Sequence, residues 1–173
     1  MRPVVDSRAA CGLRSPRDVS KDVHPEHGGL AVHWGGERLR LGNHEQCRAT
    51  WRQWQALHMD PPRDWVDIAY NWGACDHGHL LTGRGWGVRS AANGTNDANE
   101  RFLAVCWLGG PGESPSALAL GAIEYLVQYV RGRGAGREVR PHSHFYPTAC
   151  PGPVLTAHTQ TWARLGGPSV VKP

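Results

Sequence analysis

Lysine is nearly missing from this 173-residue chain: Lys21 and Lys172 stand alone, so 17 of the 19 basic side chains are arginine. Against 15 acidic residues this leaves a net charge of +4. The arginines are scattered and form no stripe, which argues against a nucleic-acid partner. No apolar run approaches the roughly 18–20 residues needed to cross a bilayer, so no membrane insertion is expected. An export signal is not visible either. Arg2 is followed only by the pairs Val4–Val5 and Ala9–Ala10, interrupted by Asp6 and Arg8, with no apolar core. No Cys-x-x-Cys pair occurs among Cys11, Cys47, Cys75, Cys106 and Cys150, which counts against zinc-ribbon, zinc-finger and thioredoxin-like readings. The count is odd, so at least one cysteine stands outside any intramolecular disulfide. A phosphate-cradling loop is lacking as well: Gly83-Arg84-Gly85-Trp86-Gly87 has neither the dinucleotide-binding spacing nor a helix after it.

What is present fits one globular domain, with 40% hydrophobic and 20% charged residues. Residues 1–28, broken by Pro3, Pro16, Pro25 and Gly28–Gly29, read as a polar strap packed on a domain of residues 29–165, with 166–173 as a tail. Leu30–Trp34 is a short apolar strand closed by glycines. Asn43 suits the N-cap of a helix from His44 to Met59, stopped by Pro61–Pro62, with Cys47, Trp51, Trp54 and His58 on its buried face and Arg48, Arg52 and Gln55 elsewhere. Ile68–Ala74 and His79–Thr82 flank Asp76-His77-Gly78 as a hairpin, and a Gly/Asn-rich loop covers 83–99. Phe102–Leu108 is a second apolar strand. Ser114-Pro115 opens a helix with Ala119, Ala122, Ile123, Leu126 and Val130 as its stripe. A last strand at Glu138–Arg140 and a short helix at Leu155–Arg164 complete the pattern. Strands alternating with helices predict an α/β fold, a central mixed sheet with helices on its faces.

Ten histidines raise the question of which converge. His33 ends a buried strand at a sheet end where a cleft can open, and is either a metal ligand or a satisfied core or edge histidine. His142 and Cys150 lie on a proline-stiffened loop. Imidazole nitrogen and thiolate sulfur are tetrahedral Zn²⁺ ligands, and three of them leave a position for water. The alternative is a buried thiol with loop histidines. Cys75, close to His77 and His79, reads as a core thiol.

Several motifs in order give these residues a context. Ser7-Arg8-Ala9-Ala10-Cys11-Gly12, AVHWGG (31–36), ALHMD (56–60), DWVDIAYNWGACDHGHLLTGRGW (64–86), FLAVCWLGG (102–110) and PHSHFYPTACPG (141–152) resemble the zinc-dependent N-acetylmuramoyl-L-alanine amidases that share a fold with peptidoglycan recognition proteins and with lysozyme-type phage amidases. The opening motif has Cys11 where that family has tryptophan, and the closing one has Ser143-His144 in place of its usual Arg-Asp.

The resemblance implies a peptidoglycan-recognition-protein-like amidase fold and Zn²⁺ as cofactor, held by His33, His142 and Cys150. It places Tyr70 and Thr148 beside the metal as catalytic groups, and Trp34, His58, Asp64, Trp65 and Arg84 at substrate-binding positions. Trp65 and Arg84 match the pattern that accompanies recognition of meso-diaminopimelate, where Asp64 replaces a glycine. Arg84 either pairs with the extra carboxylate of that residue or supports the fold. Members of the family that only bind the wall commonly lack the cysteine kept here as Cys150. The resulting expectation is a monomeric hydrolase cutting the bond between muramic acid and L-alanine in bacterial peptidoglycan. A phage endolysin is the expected setting, cytoplasmic in the host until release to the wall; the alternative is a non-catalytic recognition protein.

Overall fold

A computed structural model describes residues 2–165. Six strands form one sheet in the order β1 (Val4–Asp6), β4 (His79–Thr82), β3 (Trp72–Ala74), β5 (Phe102–Trp107), β2 (Gly29–Trp34), β6 (Glu138–Pro141). Every neighbouring pair is parallel except the β3–β4 hairpin. Helices α1 (His44–Met59), α2 (Asn96–Arg101), α3 (Ala117–Gly132) and α4 (Gly152–Arg164) surround it, giving the mixed, helix-flanked sheet that the sequence predicts.

The central strands are buried on both faces, so alternation sorts their side chains between two cores. Leu30 and Val32 of β2 and Leu103, Val105 and Trp107 of β5 pack with Ile123, Leu126 and Val130 of α3 and with Leu155 and Trp162 of α4. Cys106 faces the other way, into a cluster with Cys47, Trp51 and Trp54 of α1. His33 is in register with Cys106. It therefore ends a buried strand on the α1 side of the sheet.

α1 starts where its sequence says, because the Asn43 side chain accepts from Gln46 N–H at 3.0 Å. Gln55 departs from expectation: it is only 2% exposed. The N-terminal segment covers that side of α1, and Gln55 bonds both backbone groups of Arg14 and the carboxylate of Asp67. His58 is half-buried, at the edge of the predicted face.

Other boundaries move as well. The N-terminal strap contains an edge strand, β1, in parallel register with β4. The Gly/Asn-rich loop ends in α2, whose N-cap is Thr95. α3 is capped by Ser116 rather than Ser114, since Ser116 is also fixed to Asp76 through its N–H and its hydroxyl. α4 begins at Gly152, earlier than Leu155. The expected tail, 166–173, lies outside the described residues.

Much of the motif sequence is structural bracing. Arg8 of the opening motif donates to both oxygens of buried Asp67 at 2.8 and 3.1 Å and to the Gly83 carbonyl at 2.6 Å. Asn71, fully buried, accepts from Ala104 N–H and donates to the carbonyls of Gly85 and Val88. Three motifs far apart in the chain are thereby tied around one end of the sheet. No described helix is long and apolar enough to cross a membrane.

Candidate metal centre

His33, at the carboxyl end of β2, meets two residues of the segment after β6. His142 opens a 3-10 turn directly after the strand, and Cys150 immediately precedes Pro151 and α4. One ligand atom from each of the three lies within 4.8 Å of the others. The two imidazole rings are 4.4 Å apart, and Cys150 Sγ is 3.9 Å from His33 Nδ1. The carboxyl end of parallel strands is where α/β sheets leave room for ligands.

Each donor is prepared in a different way. His33 Nε2 is 2.9 Å from the Asn93 Oδ1 atom. The Asn93 amide nitrogen faces Ser90 Oγ and the carbonyls of Ala98 and Phe102, so the amide cannot reverse without setting oxygen against oxygen. Oδ1 must therefore accept the Nε2 proton, leaving the lone pair of His33 on Nδ1, toward Cys150. Burial, with His142 beside it, pushes the His33 imidazole down to about 3, keeping it neutral. His142 Nε2 is buried with no hydrogen-bond partner, an orphaned donor or acceptor of the kind native structures normally satisfy. Burial lowers its affinity for a proton too. Cys150 Sγ accepts the Trp34 N–H at 3.4 Å; burial raises its thiol to about 11, with that N–H acting in the opposite sense.

Two neutral imidazoles with free lone pairs and one thiol, converging in a buried space, fit a divalent zinc ion. The orphaned His142 nitrogen is explained by that occupant and by no protein group nearby. A carboxamide behind a ligating histidine is the outer support that such centres require. Asn93 was not legible as a site residue, because its loop has no periodicity to mark it.

The remaining residues named from the sequence lie at graded distances. Tyr70 sits with its ring 5.5 Å from that of His33, and burial, followed by the Cys106 and Cys150 thiols, holds its hydroxyl well above the usual phenol value. Thr148 accepts the Cys150 N–H through its hydroxyl at 3.2 Å, which shapes the ligand loop. His58 takes the Ala69 N–H on Nδ1 and stacks on Trp65 at 5.0 Å. Trp65, His58, Tyr70, His33, His142 and Tyr146 form a continuous line of rings, with partly exposed Trp65 and Tyr146 at its ends.

Trp65, Asp64 and Arg84 border a cavity of about 400 Å³. Asp64 occupies the left-handed region at φ 53° and pairs with Arg17, which accounts for the glycine that the motif has there. Arg84 gives Nε to the Ile68 carbonyl and Nη1 to that of Arg89; Nη2 has no protein partner among the described residues. Trp34 borders a separate cavity of about 430 Å³ with Trp107 and the start of α4.

No family profile matches the chain. Mouse peptidoglycan recognition protein 4 is 33% identical over 99 residues, 56% of this chain and 25% of that protein. Mouse peptidoglycan recognition protein 1 is 29% identical over 122 residues, covering 68% of this chain and 66% of the other. The curated relatives that this chain matches are thus peptidoglycan recognition proteins. The solved structure of Drosophila PGRP-LB, as a mutant in complex with tracheal cytotoxin, superposes with a TM-score of 0.82 at 24% identity, covering 91% of this chain and 94% of that one. The recognition-protein fold is therefore that of this chain. The chain spans about a quarter of the first relative's length.

Proposed function

We propose that this chain is a zinc-dependent N-acetylmuramoyl-L-alanine amidase acting on bacterial peptidoglycan. The observation that carries the reading is the convergence of His33, His142 and Cys150 on one point, with the His33 tautomer fixed by Asn93 and a nitrogen of His142 left over. Wall binding alone needs no such donor set. Zinc held there would supply Lewis acidity toward the scissile carbonyl and toward water at neutral pH.

The protein's own groups would do the rest. Tyr70 stays protonated across the physiological range, so its hydroxyl is a donor for negative charge building on the lactyl carbonyl oxygen. A well-placed donor of this kind contributes roughly 3 kcal/mol. Thr148 holds Cys150 in place and keeps its own proton to donate. The line of rings from Trp65 through His58 to Tyr70 offers an aromatic wall for the stem peptide, and Arg84 Nη2 is available to a carboxylate such as that of meso-diaminopimelate. A monomeric phage endolysin, made in the host cytoplasm and released to the wall, is the setting we assign on the resemblance to phage amidases.

The test is dye release from purified walls by the metal-loaded protein, with and without a chelator, beside His142→Ala and Cys150→Ser. New L-alanine amino termini should appear only with the loaded wild type. Wall binding without any released amine, in a protein shown to hold zinc, would establish a non-catalytic recognition protein instead.

A further inference from the structure

A second group of metal-ligating side chains lies at the start of α1, beside β1 of the strap, and nothing in the amidase reading uses it. His44 and Cys47 occupy the first turn of α1; Cys75 and His77 lie at the β3–β4 turn. His44 Nδ1 is 3.3 Å from Cys75 Sγ, and His77 Nδ1 is 3.5 Å from Cys47 Sγ. The ligand atoms of His44, Cys47 and Cys75 all lie within 4.8 Å of one another. Around tetrahedral zinc, with bonds of about 2.0–2.3 Å, neighbouring donor atoms sit roughly 3.3–3.8 Å apart.

We propose that His44, Cys47, Cys75 and His77 form a second, structural Zn²⁺ centre of the Cys₂His₂ type, fastening the start of α1 to the β3–β4 hairpin.

Two observations beyond proximity support it. Asp6, 4% exposed, accepts the His44 Nε2 proton at 2.7 Å, which leaves the His44 lone pair on Nδ1, facing Cys75. A carboxylate behind a histidine is the usual outer support of a zinc ligand. Arg48, at 2.6 Å, and His79, at 3.2 Å, hold Asp6 from its other sides. Next, the Cys47 and Cys75 thiols are both free and fully buried, so these sulfur donors are shielded from solvent. With His77 as the fourth ligand, protein donors would close the coordination sphere, the mark of a structural rather than a catalytic site. The sequence reading of Cys75 as a plain core thiol is incomplete for this reason: a ligand pair split between a helix start and a distant turn has no Cys-x-x-Cys signature.

This centre is independent of the amidase reading, and its test does not use activity. Protein purified under reducing conditions should hold two zinc ions per chain by elemental analysis. Cys150→Ser should hold one, and Cys75→Ser should hold one. Asp6→Asn, a positioning change, should weaken zinc at this centre about 10–100-fold in chelator competition. Cobalt loaded into Cys150→Ser should show a thiolate-to-metal charge-transfer band with strong tetrahedral ligand-field absorption, since only this centre then has sulfur donors. That measurement stands even if Cys75→Ser fails to fold. A zinc-free Cys150→Ser protein, its cobalt form without the thiolate band, or a Cys47–Cys75 disulfide found by mass spectrometry in that reduced protein would each overturn the proposal.

Discussion

Asn93 fixes the orientation of His33: its Oδ1 takes the imidazole Nε2 proton at 2.9 Å, while its amide nitrogen is enclosed by three oxygens at 2.9–3.1 Å. The residue is fully buried and lies 60 positions along the chain from the histidine it steers. A residue in an irregular loop thus decides which nitrogen of a strand residue is available.

Asn93→Ala should therefore damage two properties at once. Zinc affinity at the His33 centre should fall about 10–100-fold, as for other lost outer-sphere partners. Unfolding free energy should fall by about 1–3 kcal/mol, because buried carbonyls lose their donor. Chelator competition and urea denaturation of the metal-free protein measure the two separately. An unchanged zinc affinity would mean that His33 is oriented by something else.

Arg8 and Asp67 join the opening motif to the strand-entry motif across the fold. The carboxylate is nearly fully buried, whereas the guanidinium is about a quarter exposed. Arg8→Ala leaves that carboxylate with Gln55 as its remaining side-chain partner. A loss of roughly 3 kcal/mol is expected, the lower end for breaking a buried pair, given the arginine's partial exposure. Arg8→Lys should recover only part of it, since lysine cannot serve both carboxylate oxygens and the Gly83 carbonyl. Equal denaturation midpoints for wild type and Arg8→Ala would refute this account.

The parts legible in the sequence are those with local causes. α1 is bounded by its own cap and by a proline pair, and the stripe of α3 lies on its buried side. His33, His142 and Cys150 stand out by residue type and by motif, and the fold brings them together. What escaped has tertiary causes. Gln55 is polar and sits on a helix, yet Arg14 and Asp67 bury it. Ser116 displaces Ser114 as cap because Asp76 holds it from another element. β1 is too short for alternation to show, and it exists because β4 offers it an edge. Asn93 and Asp6 act through partners 60 and 38 residues away, respectively, and no spacing rule reaches that far.

His58 supplies a pH dependence. Burial first, then Arg63 and Arg84, lowers its imidazole to about 4, and its Nδ1 already accepts the Ala69 N–H. In the unfolded chain the same group titrates near 6.5. Above that value both states are neutral and His58 favours neither. As pH falls from about 6.5 toward 4 the unfolded state takes up a proton that the folded state refuses, so stability falls, by up to about 3 kcal/mol in total. Below about 4 the folded state is protonated as well and the loss levels off. Urea midpoints of His58→Gln should decline less steeply than wild type across that window. Parallel curves for the two proteins would show that His58 is not protonated differently in the two states.

Gly152 stands between the ligand loop and the body of α4. Its φ of +81° is in the left-handed region, and an added Cβ would lie 2.4 Å from Cζ3 of Trp34. The backbone N–H of Trp34 also holds the sulfur of Cys150, so a shift of this residue reaches the ligand. Gly152→Ala combines backbone strain with overpacking, together about 2–4 kcal/mol. For a domain of this size that corresponds to a fall in melting temperature of roughly 5–12 °C. Relief of the contact by moving Trp34 also moves Cys150, so the variant should release zinc from the His33 centre faster than wild type when challenged with a chelator. The cluster around His44 shares no residue with this contact and should keep its metal. A melting temperature within about 1 °C of wild type, or equal loss of zinc from both centres, would contradict this coupling.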